Sequence, residues 1–139
     1  MKLGRDSARF VGDATSAYEP ELGVKKFLRT FDYRVNSGFS LHDEVETQSP
    51  TVVTSVIHAD AGLKKLAGNR YEILAGQTQL AITVSPENLV GTIEPNVLTA
   101  PGPPGAVDKG ERQVRGQKLL LSTPGPVRSA TLEMKMELH

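Results

Sequence analysis

From Thr131 to His139 the chain alternates without a fault: Leu132, Met134, Met136 and Leu138 fall on one side, and Thr131, Glu133, Lys135, Glu137 and His139 on the other. Leu, Glu, Met and Lys are good helix formers by intrinsic propensity. At about 100° per residue, however, those four apolar positions would scatter around a helix instead of forming a stripe. The period therefore predicts a strand with one dry and one wet face, the mark of antiparallel sheet. A strand this regular also predicts that the C-terminus is tied into that sheet.

Similar signals recur upstream. Phe27, Phe31, Tyr33 and Val35 share one parity, interrupted by Arg29, and predict a first strand that ends at Asn36-Ser37-Gly38. Phe39 to Leu41 resumes it, and His42 to Pro50 reads as an acidic loop ending at a proline that disfavours helix before it. Thr51 to His58 is β-branched almost throughout and predicts a strand buried partly on both faces. Ala59 to Gly68 is expected to make a short helical turn around Leu63 and Leu66. Arg70 to Ala75, Gln77 to Val84 and Leu89 to Ile93, separated by Gly76 and by Ser85-Pro86-Glu87-Asn88, read as a three-stranded meander. Gln117 to Ser122 and Val127 to His139, joined by Thr123-Pro124-Gly125-Pro126, read as a terminal hairpin. With six to eight short strands, no long helix and no internal repeat, the expected fold class is all-β: an antiparallel β-sandwich or small β-barrel.

Two segments stand outside that pattern. Residues 1–23 are rich in Gly, Ser, Ala and charge, with Phe10, Val11, Tyr18 and Leu22 scattered, and read as an N-terminal arm preceding a single β domain at 24–139. Residues 95–116 hold four Pro and four Gly in 22 residues and read as a long projecting loop. Its Pro101-Gly102-Pro103-Pro104-Gly105 is too short for a collagen repeat, which needs Gly at every third residue over many triplets. Successive prolines instead stiffen it toward extended geometry.

Composition narrows the function. A chain of 139 residues fits one domain and buries roughly two-thirds of its unfolded surface. Sixteen Lys and Arg balance sixteen Asp and Glu, leaving no net field to gather nucleic acid, anionic lipid or acidic substrates. With no cysteine there is no disulfide framework, thiol chemistry or thiolate metal site. Met1 to Ser7 lacks the apolar region of a signal peptide, and no apolar run reaches the ~20 residues that span a bilayer, so neither export signal nor transmembrane segment is expected.

Chemical motifs are sparse. His42 with Asp43, Glu44 and Glu46 has metal-ligand chemistry, but neighbours on an extended chain point to opposite faces, and the segment reads as a solvated loop. His58 and Asp60 form an H-x-D pair without a third ligand at a set spacing. There is no G-x-S-x-G elbow, and no Gly-rich turn leads into a helix that would cradle phosphate. No catalytic residue, cofactor, metal or small-molecule substrate is therefore expected. The basic residues Lys25, Lys26, Lys64, Lys65, Arg112, Arg115, Lys118 and Arg128, with Phe31, Tyr33 or Tyr71 as stacking platforms, suggest an alternative: an OB-like barrel binding single-stranded nucleic acid or oligosaccharide. Interspersed acids argue for a mixed surface instead.

An arm and a stiff loop gain an isolated monomer little, and the commonest partner of a small chain is a copy of itself. The expectation is a non-enzymatic structural protein of a symmetric assembly, contacting copies of itself and other subunits. Its specific form is a small virion protein, such as a phage capsid, head decoration or head-to-tail joining component, or a cytoplasmic assembly if it is not viral. The contact residues expected are Phe10, Tyr18, Leu22, Val97, Leu98, Pro101, Pro103, Pro104 and Val107, apolar or stiff groups in segments with no core of their own to enter.

Overall fold

Alternating side chains that must bury one face force these segments to pair and then to find a cover for the apolar side. A computed structural model describes residues 1–99 and 112–139. The chain is all-β and antiparallel, with strands β1 (Lys2–Leu3), β2 (Ser7–Asp13), β3 (Val24–Arg34), β4 (Gly38–Thr51), β5 (Thr54–Ala59), β6 (Gly62–Lys65), β7 (Arg70–Ala75), β8 (Thr78–Ser85), β9 (Val90–Thr99), β10 (Arg112–Ser122) and β11 (Val127–Leu138). They form an eight-stranded sheet ordered β1-β2-β3-β4-β11-β8-β7-β6 and a three-stranded sheet ordered β5-β10-β9. Among the described residues no helix is long and apolar enough to cross a membrane.

The terminal alternation places β11 in the middle of the large sheet, between β4 and β8. Leu132, Met134 and Met136 all face inward and are buried. The core joins this face to the small sheet: Tyr71, Ile82, Val84 and Met134 on one side meet Leu119 and Leu121 on the other, each at most 1% exposed. Gly91 in β9 permits the close approach, because a Cβ there would run into the Tyr71 side chain. Gln117 in β10 accepts a bond from the Leu63 amide of β6 at 2.6 Å and ties the sheets together.

Several local expectations are corrected. The acidic stretch His42 to Pro50 is not a loop but most of β4. Its charges at His42, Glu44 and Glu46 occupy the wet face, and Asp43 turns inward to a partner. The segment around Leu63 is a strand instead of a helical turn, since a single helical turn is marginal and pairing with β7 supplies backbone bonds. The meander stops at two strands: β7 and β8 pair, whereas β9 crosses to the small sheet. The terminal hairpin is absent, with β10 and β11 in different sheets. Both strands carry a strongly apolar face, and placing them face to face lets each cover the other.

The segment 1–23, expected as an arm, contains β1, β2 and two 3-10 turns, Thr15–Ala17 and Pro20–Leu22. β2 pairs with β3 from Ser7↔Arg34 to Asp13↔Leu28. Its scattered apolar residues gave no period because only Phe10 lies at an apolar position of the inner face, between Ala8 and Gly12. The segment 95–116 is likewise not wholly a loop. Its described ends, Pro95–Thr99 and Arg112–Gly116, form a ribbon, with Val97 opposite Val114. Pro101, Pro103, Pro104 and Val107 lie outside the described residues.

Candidate functional site

The inner face of the large sheet continues past the region that the small sheet covers. β3 presents Phe27, Arg29, Phe31 and Tyr33 at alternate positions, and β2 adds Phe10 directly across from Phe31. The two rings lie 6.2 Å apart and tilted. Phe10, Phe31 and Tyr33 remain 49%, 40% and 48% exposed, although they lie on the same face as the sealed core. Together with Met1, Ala8 and Phe39 they line a depression of about 260 Å³.

Arg29 breaks the apolar row, and its geometry explains why the strand tolerates it. Nε and Nη2 donate to the two Asp43 oxygens at 2.7 Å each, a bidentate pair across β3 and β4. The Asp43 carboxylate is nearly inaccessible, and the Ser55 hydroxyl of β5 donates to it at 3.4 Å. Hydrogen bonding to Asp43 holds the Arg29 guanidinium above its ordinary pKa. Its carbon end sits 5.6 Å from the Phe27 ring centre, and Tyr18 packs on the same ring at 5.8 Å. Beside this pair a cleft of about 440 Å³ runs between Tyr18 and Leu22 of the 3-10 turns, Phe27 of β3, and Thr51 to Val56, the stretch from the end of β4 into β5.

Of the contact residues expected from sequence, Phe10 packs on Phe31 and Tyr18 on Phe27, both rings of β3, and Leu22 lines the cleft beside Tyr18. Tyr18 and Leu22 lie at the ends of the two 3-10 turns, where Gly23 adopts a left-handed conformation and donates back to Pro20. Val97 lies away from them, on the ribbon, and Leu98 is in β9 opposite Gln113. Phe31, Tyr33 and the Arg29–Asp43 pair were absent from that expectation as contacts. The signal was available: an arginine inside an apolar row demands an inward acid, and Asp43 was hidden by reading its segment as a loop.

The other chemical candidates disperse. His58 Nδ1 lies 3.1 Å from Asn96 Oδ1, whereas Asp60 pairs with Arg115 at 3.3 Å. His42 lies 3.9 Å from Glu44 on the wet face. Among the described residues no group of three or more His, Cys, Asp or Glu gathers around a metal-sized space. Tyr71 is buried and offers no stacking face. Lys26 pairs with Glu44 at 2.5 Å and Lys118 with Glu94 at 3.4 Å. The Lys26 bond lowers the Glu44 pKa and raises that of Lys26.

The sequence matches no protein-family model, and no curated protein resembles it at a significant level.

Proposed function

We propose that this chain is a non-enzymatic structural component of a symmetric assembly, which packs its open half-sheet against a neighbouring copy. The observation that carries the reading is one inner sheet face, apolar on both sides of the Arg29–Asp43 pair, of which only part is sealed from water. Phe10, Phe31 and Tyr33 are the residue types that anchor protein interfaces, and burying an aromatic removes about 150–250 Å² from water. Balanced charge opposes no approach of like copies. In its most specific form the assembly is a virion, a reading supported by the small all-β body. Light scattering across a concentration series tests the proposal. A mass that is a multiple of 15.0 kDa, reduced to the monomer by Phe31→Lys without loss of fold, supports it. A wild-type chain that stays monomeric up to millimolar concentration overturns it.

The exposed row of Phe31, Tyr33 and Phe10 also favours a second reading, stacking of a single-stranded nucleic acid or oligosaccharide. Titration with an oligothymidine and with a glucan oligomer, each repeated on Phe31→Ala, separates the two. Binding that the variant loses would support stacking, and absence of binding would remove it.

A further inference from the structure

We propose that the cleft beside Arg29 binds a neutral small organic molecule, which seats a ring between the apolar walls and offers a carbonyl oxygen to Arg29 and Tyr18. The inference is independent of the assembly reading, because Phe10, Phe31 and Tyr33 line a different depression. Three observations carry it.

The first is that the cleft is held open by its own backbone. One wall, the segment of the two 3-10 turns, is tied down at both ends. The Phe27 amide donates to Thr15 Oγ1 at 2.9 Å, and the Gln48 amide donates to the Gly23 carbonyl at 2.8 Å. The other wall is tied at Val53, whose amide donates to Thr123 Oγ1 at 3.1 Å and whose carbonyl accepts from the Thr123 amide at 2.9 Å. At about 440 Å³ the space falls within the range of small-molecule sites, roughly 300–1,000 Å³, which are themselves largely pre-formed.

The second is the apolar lining. Tyr18 and Leu22 on one wall and Val52 on the other stand 43%, 63% and 50% exposed. Tyr18 packs on Phe27 and both still line the cleft, so their contact is a wall of the space and does not fill it. A ring or short aliphatic group placed there removes apolar surface from water on both sides, and the gain grows with that area.

The third is the polar end. A guanidinium carries five N–H donors in a fixed fork. Asp43 takes one from Nε and one from Nη2, and the side chain stays 33% exposed, so the remaining donors of Arg29 are open to a ligand. The Tyr18 hydroxyl belongs to the same end, since Tyr18 and the guanidinium carbon flank one Phe27 ring at 5.8 and 5.6 Å. The hydroxyls of Thr47, Thr54 and Ser55 are engaged with the Ser49 carbonyl, Ser122 and Asp43. Among the described residues Arg29 is the one cation of the lining, and Asp43 balances it. The cleft thus offers donors without net charge, which selects a neutral acceptor over a carboxylate, whose charge would oppose that of Asp43.

Three fluorescent probes that differ at one group test this: a dimethylamino-naphthalene bearing a propionyl ketone, the same ring without it, and the same ring bearing a carboxylate. The full chain is titrated into each and probe anisotropy is followed. The ketone is expected to bind about tenfold more tightly than the bare ring, the gain from a hydrogen bond to a charged donor, and more tightly than the carboxylate. Tyr18→Phe is expected to weaken the ketone about threefold and to leave the bare ring unchanged. Leu22→Glu and Val52→Glu alter opposite walls at exposed positions, and each is checked for an unchanged melting curve. Each is expected to weaken the ketone about tenfold, and either one suffices if the other does not fold. Equal affinity for ketone and bare ring overturns the donor assignment, and a carboxylate bound most tightly overturns the neutral class. Ketone binding that the wall variants leave intact, or that Phe31→Ala abolishes, places the ring elsewhere and overturns the cleft. No rise in anisotropy at millimolar protein overturns the inference and leaves the assembly reading standing.

Discussion

Ile82 and Phe31 lie on the same face of the same sheet, yet Ile82 is sealed from water and Phe31 is 40% exposed. The strands around Ile82 are covered by β5, β10 and β9, whereas Phe31 lies outside that buried cluster and stays partly open to water. Both halves obey the same alternation, so the pattern that builds a core also builds a docking face. Which one results depends on whether a second layer reaches it. At the seam stands the Arg29–Asp43 pair, with the carboxylate under the covered half and the guanidinium facing the open one.

The comparison can be broken most directly by trimming each half. Ile82→Ala is expected to cost about 2–5 kcal/mol of stability, because surrounding side chains collapse only partly into the space left. Phe31→Ala is expected to cost under about 1 kcal/mol in the monomer. Equal losses in denaturant unfolding would show that the open half is not open. At the contact between the sheets, Gly91→Ala should cost about 1–3 kcal/mol by pressing a methyl group on Tyr71, and pairing it with Tyr71→Phe should leave most of that loss, since the ring is struck as well as the hydroxyl.

The seam gives a comparable effect. Asp43→Ala removes both acceptors of Arg29 and is expected to cost about 1–3 kcal/mol, less than for a fully buried pair because the guanidinium keeps some water. Arg29→Ala should cost more than Asp43→Ala, since it strands the buried carboxylate, and the reverse order would show that the carboxylate has water of its own.

Two smaller effects depend on pH. Burial raises the Tyr71 pKa above 10.0. The folded chain thus holds this proton better than the unfolded one, and the contribution is intact below pH 10 and lost as pH rises through the folded value. Melting temperatures between about pH 9 and 11 should therefore fall more steeply for the wild type than for Tyr71→Phe. On the wet face, the Lys26 bond lowers the Glu44 pKa. Its contribution is present above the ordinary carboxylate range and disappears as pH falls through the lowered value. The small melting difference between wild type and Lys26→Ala should shrink on acidification.

Much of this molecule was legible one strand at a time. The alternation of Leu132, Met134 and Met136 identified β11 and its dry side, and the parity of Phe27, Phe31 and Tyr33 did the same for β3. Alternation is a local property of the pleat, so sequence alone determines the all-β class and the apolar side of those strands that alternate cleanly. It missed β4 because wet-face acids with one inward Asp resemble a loop until Arg29 is placed opposite. It also joined β10 to β11, because nearness along the chain favours a hairpin, whereas burial of Leu119 and Leu121 against β11's own sheet separates them. Tertiary structure decided which strands share a sheet and how far the second layer reaches. Both depend on partners distant in sequence, and an apolar face is identical in the chain whether something covers it or not.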